Sequence, residues 1–146
     1  MAAIAQAAGA APLLDEQLIG RWCSKQVTMH RVDGTATSTK SNASQYMIQT
    51  FTKDRVVVEW ARPPQSARWT QSYAIVAAGQ LSMKMLEHSS LPSLVGSKSA
   101  YRYQVQGNAL KLTNQPQEKQ EPSVESNWIR CEEARPTGTP NPVPYQ

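Results

Sequence analysis

The chain has 146 residues and is 40% hydrophobic and 18% charged, a composition that predicts one globular domain with a sizeable core. Its net charge is +4, but the basic residues are scattered and form neither the stripe nor the patch of a nucleic-acid-binding module. No apolar stretch reaches the roughly 18 residues that a membrane-spanning helix needs.

The N-terminal residues 1–12 are uncharged and rich in alanine. They lack the positive and leucine-rich regions of a complete signal peptide. We interpret them as a flexible arm at the start of a mature exported chain, just past an A-x-A-like cleavage site, with Met1 added for expression. The alternative is a disordered or weakly helical arm. Residues 13–19 predict a short amphipathic helical turn, and Gly20 ends it.

From Arg21 onward, residues typical of strands alternate with period 2, and turn residues interrupt them at short intervals. Gly107-Asn108, for example, predicts a two-residue hairpin turn. This alternation of short strands and turns favours an all-β sandwich or barrel over residues 13–133. The proline-rich residues 134–146 predict a disordered or extended tail. The predicted strands span residues 21–31, 43–52, 54–61, 66–76, 80–87, 99–106, 109–113 and 123–132.

Two cysteines stand near the ends of the predicted β region, Cys23 in the first strand and Cys131 in the last. A disulfide between them would indicate an oxidising compartment, whereas two free buried thiols are the alternative. Neighbouring residues on a strand face opposite sides. If the cysteines pair on the outside, Trp22 and Arg130 therefore both point inward, where a guanidinium over an indole is favourable by about 0.5–2 kcal/mol.

This parity favours the barrel over the sandwich. In an up-and-down barrel the first and last strands are neighbours, so one topology accounts for both the disulfide and the contact between Trp22 and Arg130. We therefore predict an eight-stranded antiparallel up-and-down β-barrel with a short N-terminal helical turn.

The segment Leu18-Ile19-Gly20-Arg21-Trp22 resembles the G-x-W opening of lipocalins and other calycins. In that family a basic residue near the last strand packs over the tryptophan, and Arg130 stands at the corresponding place. Residues 103–113 resemble the penultimate hairpin of small bacterial lipocalin-like proteins. The resemblance covers about residues 13–133. It implies a lipocalin-like barrel rather than a full lipocalin, because residues 78–79 carry no second lipocalin motif and no long helix follows the last strand.

The spacing patterns of catalytic and metal sites are missing from the sequence. His30 and His88 are the two histidines, and together with the two cysteines they show no zinc-finger or H-x-x-x-H spacing. A G-x-S-x-G elbow and a glycine-rich phosphate loop are also missing. We therefore predict no enzyme activity, no metal site and no cofactor.

Large aromatic and methionine side chains on predicted inward faces form the candidate ligand-binding set. They are Trp60, Trp69, Tyr73, Met83, Met85, Tyr101 and Tyr103. An eight-stranded barrel is just wide enough either to pack solid or to hold one small ligand, so a filled core is the alternative. The leading hypothesis is a non-enzymatic periplasmic or secreted protein whose barrel takes a small apolar or amphipathic molecule.

A rival hypothesis is a periplasmic protein-directed enzyme inhibitor or interaction protein acting through the predicted loop over residues 88–98 or through the N-terminal arm. Ser97, Lys98 and Ser99, preceded by a glycine, resemble the inhibitory loop of periplasmic lysozyme inhibitors, which are small disulfide-linked β-barrels. A solvated serine-rich turn explains the same residues. The N-terminal arm resembles that of bacterial inhibitors of secreted metalloproteases, but the cysteine spacing departs from that family's short-range bridge.

Overall fold

A computed structural model of the protein describes residues 15–42, 44–115 and 122–134. Residues 133 and 134 are described by their backbone alone. The predicted arm over residues 1–12 lies outside these ranges, as does the predicted tail beyond its first residue. Within them, no helix is long and apolar enough to cross a membrane.

Strands make up most of the described chain. They are β1 (Gly20–His30), β2 (Ala36–Lys40), β3 (Tyr46–Phe51), β4 (Arg55–Arg62), β5 (Gln65–Ala77), β6 (Gln80–His88), β7 (Lys98–Gln106), β8 (Ala109–Asn114) and β9 (Ser123–Arg130). The helical segments are short. They are the 3₁₀ turns Glu16–Leu18 and Pro92–Leu94 and the one-turn helix α1 (Cys131–Ala134).

Eight strands close into an antiparallel up-and-down barrel, which confirms the predicted fold. From β3 to β9 each strand pairs with the next in sequence, and β9 returns to pair with β1. The remaining strand, β2, pairs with the second half of β1, whereas β3 pairs with the first half. Together β2 and β3 therefore form one interrupted wall of the barrel.

Three local features differ from the sequence-based expectation or refine it. The strand β2 is missing from the prediction, because its sequence ATSTK has no large apolar residue and all of its side chains are exposed. The last strand ends at Arg130 rather than at residue 132, because Cys131 begins helix α1. The predicted helical turn is the 3₁₀ turn Glu16–Leu18, capped by the Asp15 side chain, which accepts from the Gln17 N–H.

The two ends of the barrel carry different turns and loops. The end that carries the turn Glu16–Leu18 and the hairpin at Gly107 is here called the floor. The opposite end, which carries the 31–35 and 89–97 loops, is called the mouth. The most deeply buried large side chains gather at the floor. They are Leu18, Trp22, Phe51, Val56, Leu81 and Leu110, each at most 1% exposed.

Candidate functional site

A half-enclosed cavity of about 280 Å³ lies inside the barrel, on the mouth side of the floor core. Each of the eight barrel strands contributes at least one lining side chain. A register shift between Ser24 and Gln26 marks a bulge in β1, beyond which Val27 faces the cavity. The apolar part of the wall includes Val27, Met47, Val58, Trp69, Met83, Leu112, Val124 and Trp128.

The seven side chains predicted to line a pocket fall into two groups. Those that line the cavity are Trp69, Met83 and Tyr101. Those that do not are Trp60, Tyr73, Met85 and Tyr103. This division has a simple reason: the period-2 alternation reports which way a side chain faces but says nothing about its height along the barrel axis.

The two tyrosines that do not line the cavity lie on the floor side, where their hydroxyl groups are already hydrogen-bonded. The Tyr73 hydroxyl donates to the Thr52 carbonyl at 2.6 Å, and the Tyr103 hydroxyl donates to the Asp15 carboxylate at 2.9 Å. Burial, and then the Asp15 hydrogen bond, raises the pKa of Tyr103 to about 12. Burial, followed by the negative charges of Asp15 and Asp54, also raises the pKa of Tyr73. These phenols are therefore neutral structural donors.

The other two predicted residues, Trp60 and Met85, lie nearer the mouth. Half-buried Trp60 is opposite Met47 in the β3–β4 pairing and lines two other pockets, one of which shares Val27 and Met47 with the cavity. Met85 is buried, and its backbone holds the loop between β6 and β7: its N–H donates to Ser97, and its carbonyl accepts from Gly96.

Sequence reasoning missed the polar part of the cavity wall, which consists of Gln49, Gln71, Asn114 and Ser126. The Asn114 side-chain oxygen accepts from the Val124 N–H at 2.5 Å, and the Ser126 hydroxyl accepts from the Trp128 indole N–H at 2.8 Å. A polar residue at an inward position of an apolar strand was the signal that could have drawn attention to both glutamines.

Gln49 is the unusual member of this group. Its side chain is 4% exposed, and its amide nitrogen is buried without a hydrogen-bond partner among the described residues. An unpaired buried donor costs about 1–3 kcal/mol. Gln49 therefore contributes to the cavity wall a side chain whose amide donor the described part of the protein does not use.

At the floor, the predicted pair of Trp22 and Arg130 is in contact, with the guanidinium carbon 3.9 Å from the indole ring centroid. The Trp22 indole N–H donates to the Leu18 carbonyl at 2.9 Å. The Arg130 guanidinium donates to the carbonyls of Ile19 at 2.7 Å and Gln17 at 2.6 Å. Arg130 thus fastens the 3₁₀ turn across the closed end of the barrel.

Gly20 makes this close approach possible. Its φ of +127° disfavours any side chain, and an added Cβ would lie 2.5 Å from an Arg130 guanidinium nitrogen. The glycine of the G-x-W segment is therefore required both by its backbone conformation and by the space that Arg130 occupies.

The predicted disulfide between Cys23 and Cys131 is present, with the two Cα atoms 5.0 Å apart. It packs with Ile48 in a small cluster, separate from the main core that contains Trp22. The bond therefore joins the first strand to the helix that follows the last strand, on the outer side of the barrel.

The region proposed as an inhibitory loop is shorter than predicted, because β6 extends to His88 and β7 begins at Lys98. Lys98 and Ser99 belong to β7, where they pair with Lys84 and Met83 of β6, so they are not loop residues. Ser97 lies in the loop, and its hydroxyl donates to the Leu94 carbonyl at 2.6 Å.

The entry to this loop is also ordered. The His88 side-chain Nδ1 accepts from the backbone N–H groups of Ser90 and Leu91. Its ring stacks on Trp69 with centroids 5.1 Å apart. His88 therefore links the loop to the cavity wall. In the described ranges, no group of three or more His, Cys, Asp or Glu side chains is placed to hold a metal ion.

No protein-family model and no curated protein matches the sequence, but solved structures match the fold. A lipocalin-like protein from Bacteroides uniformis has 12% identity and a TM-score of 0.52, over 78% of this chain and 98% of that one. An uncharacterized protein from Bacteroides eggerthii has 8% identity and a TM-score of 0.50, over 77% of this chain and 98% of that one. The likeness concerns the fold, which is a lipocalin-like barrel.

Proposed function

We propose that the protein is a non-enzymatic exported binding protein that takes one small, largely apolar molecule into the barrel cavity. The observation that carries this proposal is the cavity of about 280 Å³, walled by all eight barrel strands. A lipocalin-like fold supports it, because small barrels of this size can hold one small ligand.

The cavity volume limits the size of the ligand. A cavity of about 150 Å³ is enough for benzene, so 280 Å³ has room for roughly eleven non-hydrogen atoms. Typical pockets for drug-sized ligands begin at about 300 Å³. The flexible thioether side chains of Met47 and Met83 in the wall suit a ligand of irregular shape.

The disulfide supports export. Such bonds form and persist in oxidising compartments and are rare in the cytosol. The bond between Cys23 and Cys131 thus favours the periplasm or the exterior of the cell as the place of action.

Methionine methyl NMR tests the cavity directly, with isopropylbenzene (cumene) as an apolar probe. Met47 and Met83 line the cavity, whereas Met85 does not and Met29 is 39% exposed at the rim. Titration should shift the methyl signals of Met47 and Met83 saturably and leave those of Met29 and Met85 nearly unchanged. Equal shifts at all four methyls, or none, would contradict the proposal.

A pair of matched variants provides the control. Val124→Phe places a ring at a lining position near the mouth and should abolish the saturable shifts. Val76→Phe makes the same change at an exposed position of β5 and should leave them intact. Undiminished binding by Val124→Phe would place the probe outside the cavity.

A second candidate, a protein-directed inhibitor, is supported by the exposure of Leu91, Leu94 and Val95 on the loop between β6 and β7. Apolar side chains clustered on a surface often mark interaction sites. Inhibition of lysozyme by the wild type, lost in Lys98→Ala but kept in the control Lys53→Ala, would favour this candidate. Absence of inhibition by the wild type would count against it.

A further inference from the structure

We infer that the ligand of the cavity is uncharged and carries a hydrogen-bond acceptor, such as a ketone, ester or amide oxygen, that accepts from the side-chain amide of Gln49. The inference rests on the proposed function, because it names the class of molecule for the same cavity. It begins with the one buried side-chain donor in the described residues that has no partner.

The two direct cross-strand partners of Gln49 do not satisfy its amide. On β4 its cross-strand partner is Val58, which has no polar side-chain atom. On β1 its partner is Trp22, whose indole offers a donor and no acceptor. That donor is already bonded to the Leu18 carbonyl. Neither cross-strand partner therefore supplies an acceptor for the Gln49 amide.

Gln49 is one of the lining residues of the cavity, and its amide nitrogen is itself buried. The terminal torsion of a glutamine side chain is broad and roughly two-fold, so rotation of the amide can turn the nitrogen toward a ligand in the cavity. The other polar groups there with a defined bond already serve the wall: Asn114 accepts from the Val124 N–H, and Ser126 accepts from the Trp128 indole. A ligand oxygen that reaches Gln49 would pair a donor whose burial already costs free energy in the empty protein.

Charge complementarity argues for a neutral ligand. The described residues that line the cavity include no Lys, Arg, His, Asp or Glu side chain. An ionised carboxylate or ammonium group would leave water for this wall without a counter-charge, which is strongly unfavourable. A neutral oxygen gives up much less hydration and gains the Gln49 hydrogen bond.

Three probes of equal non-hydrogen atom count and similar shape test the inference: acetophenone, cumene and benzoate. Affinities are measured from the Met47 and Met83 methyl shifts in the wild type and in Gln49→Met, which keeps the length of the side chain but removes its amide. We expect Gln49→Met to lower the affinity for acetophenone, relative to that for cumene, by about tenfold, which corresponds to the free energy of one buried hydrogen bond. Benzoate should give no saturable shift where acetophenone saturates.

Gln104→Met, on the exposed outer face of β7, is the matched control and should leave the ratio of the two affinities unchanged. A second variant, Gln49→Leu, guards against a folding defect in Gln49→Met and should change the ratio in the same direction. Because a change in cavity shape affects both probes alike, it cancels in the ratio of the acetophenone and cumene affinities.

The possible failures are distinguishable. If cumene and acetophenone bind but neither Gln49 variant alters their ratio, the inference is overturned and the proposed function stands. Benzoate binding as tightly as acetophenone overturns the requirement for an uncharged ligand. If none of the probes shifts the cavity methyls of the wild type, the proposed function itself fails.

Discussion

Trp22 and Gln49 are partners across β1 and β3, yet they belong to two regions that treat their polar groups in opposite ways. The Trp22 indole N–H is bonded inside the floor, whereas the Gln49 amide N–H has no partner among the described residues. A donor that is hydrogen-bonded inside the protein supports the fold. An unpaired donor on a residue that lines a cavity can instead serve a ligand. These two cross-strand neighbours thus differ in whether the described protein itself uses their hydrogen-bond donors.

The floor repeats the first pattern in its other polar groups. Arg130 donates to two backbone carbonyls of the N-terminal segment, and Tyr103 donates to Asp15. These bonds join residues more than 80 positions apart in sequence. They therefore hold the N-terminal segment against strands β7 and β9. We therefore expect damage to this region to lower stability, while changes around Gln49 alter binding.

The largest expected effect comes from removing the disulfide in the double variant Cys23→Ala/Cys131→Ala. The bond joins residues separated by 108 positions, and the chain-entropy model assigns a loop of this length about 4.7 kcal/mol. The free energy of unfolding, measured by urea denaturation, should fall by about 4 kcal/mol. Reduction of the wild type with dithiothreitol should give a similar loss; an unchanged urea midpoint in both experiments would show that the floor holds without the bond.

A smaller loss is expected from Arg130→Met, which removes two charge-assisted hydrogen bonds and the contact with Trp22. Hydrogen bonds to charged groups contribute about 1.5–3 kcal/mol each, but one of these is exposed to water, so we expect a loss of about 2–3 kcal/mol. Arg102→Met, at an exposed position of β7, should change stability by less than about 0.5 kcal/mol. If both variants lose the same free energy of unfolding, the contacts of Arg130 do not stabilise the floor.

The sequence was sufficient to predict the contact between Trp22 and Arg130 at the floor, because that contact follows from strand parity. Adjacent residues on a strand face opposite sides, so pairing of the cysteines on the outside implied that Trp22 and Arg130 meet inside. The strand β2 could not be found this way, because Ala36–Lys40 is wholly exposed and has no apolar alternation to detect.

The cavity was predicted only in part, and for a different reason. Parity placed Trp69 and Tyr73 on the same inward face, but Trp69 lines the cavity and the Tyr73 hydroxyl is bonded at the floor side. Height along the axis depends on strand register and tilt, which involve distant strands. The unpaired state of Gln49 depends on what lies across from it on both neighbouring strands, and that information is equally non-local.

The smallest predicted stability effect has the opposite sign and therefore tests the comparison most sharply. In the protein without ligand, Gln49→Met replaces an unpaired buried amide with an apolar group of similar length, so the penalty of the unpaired donor disappears. The free energy of unfolding should rise by about 1 kcal/mol, whereas Gln104→Met on the outer face should leave it nearly unchanged. A loss of stability in Gln49→Met would mean that the amide supports the fold, as the floor groups do. A gain in stability together with weaker acetophenone binding would mean that the amide is kept for a ligand at the expense of the empty barrel.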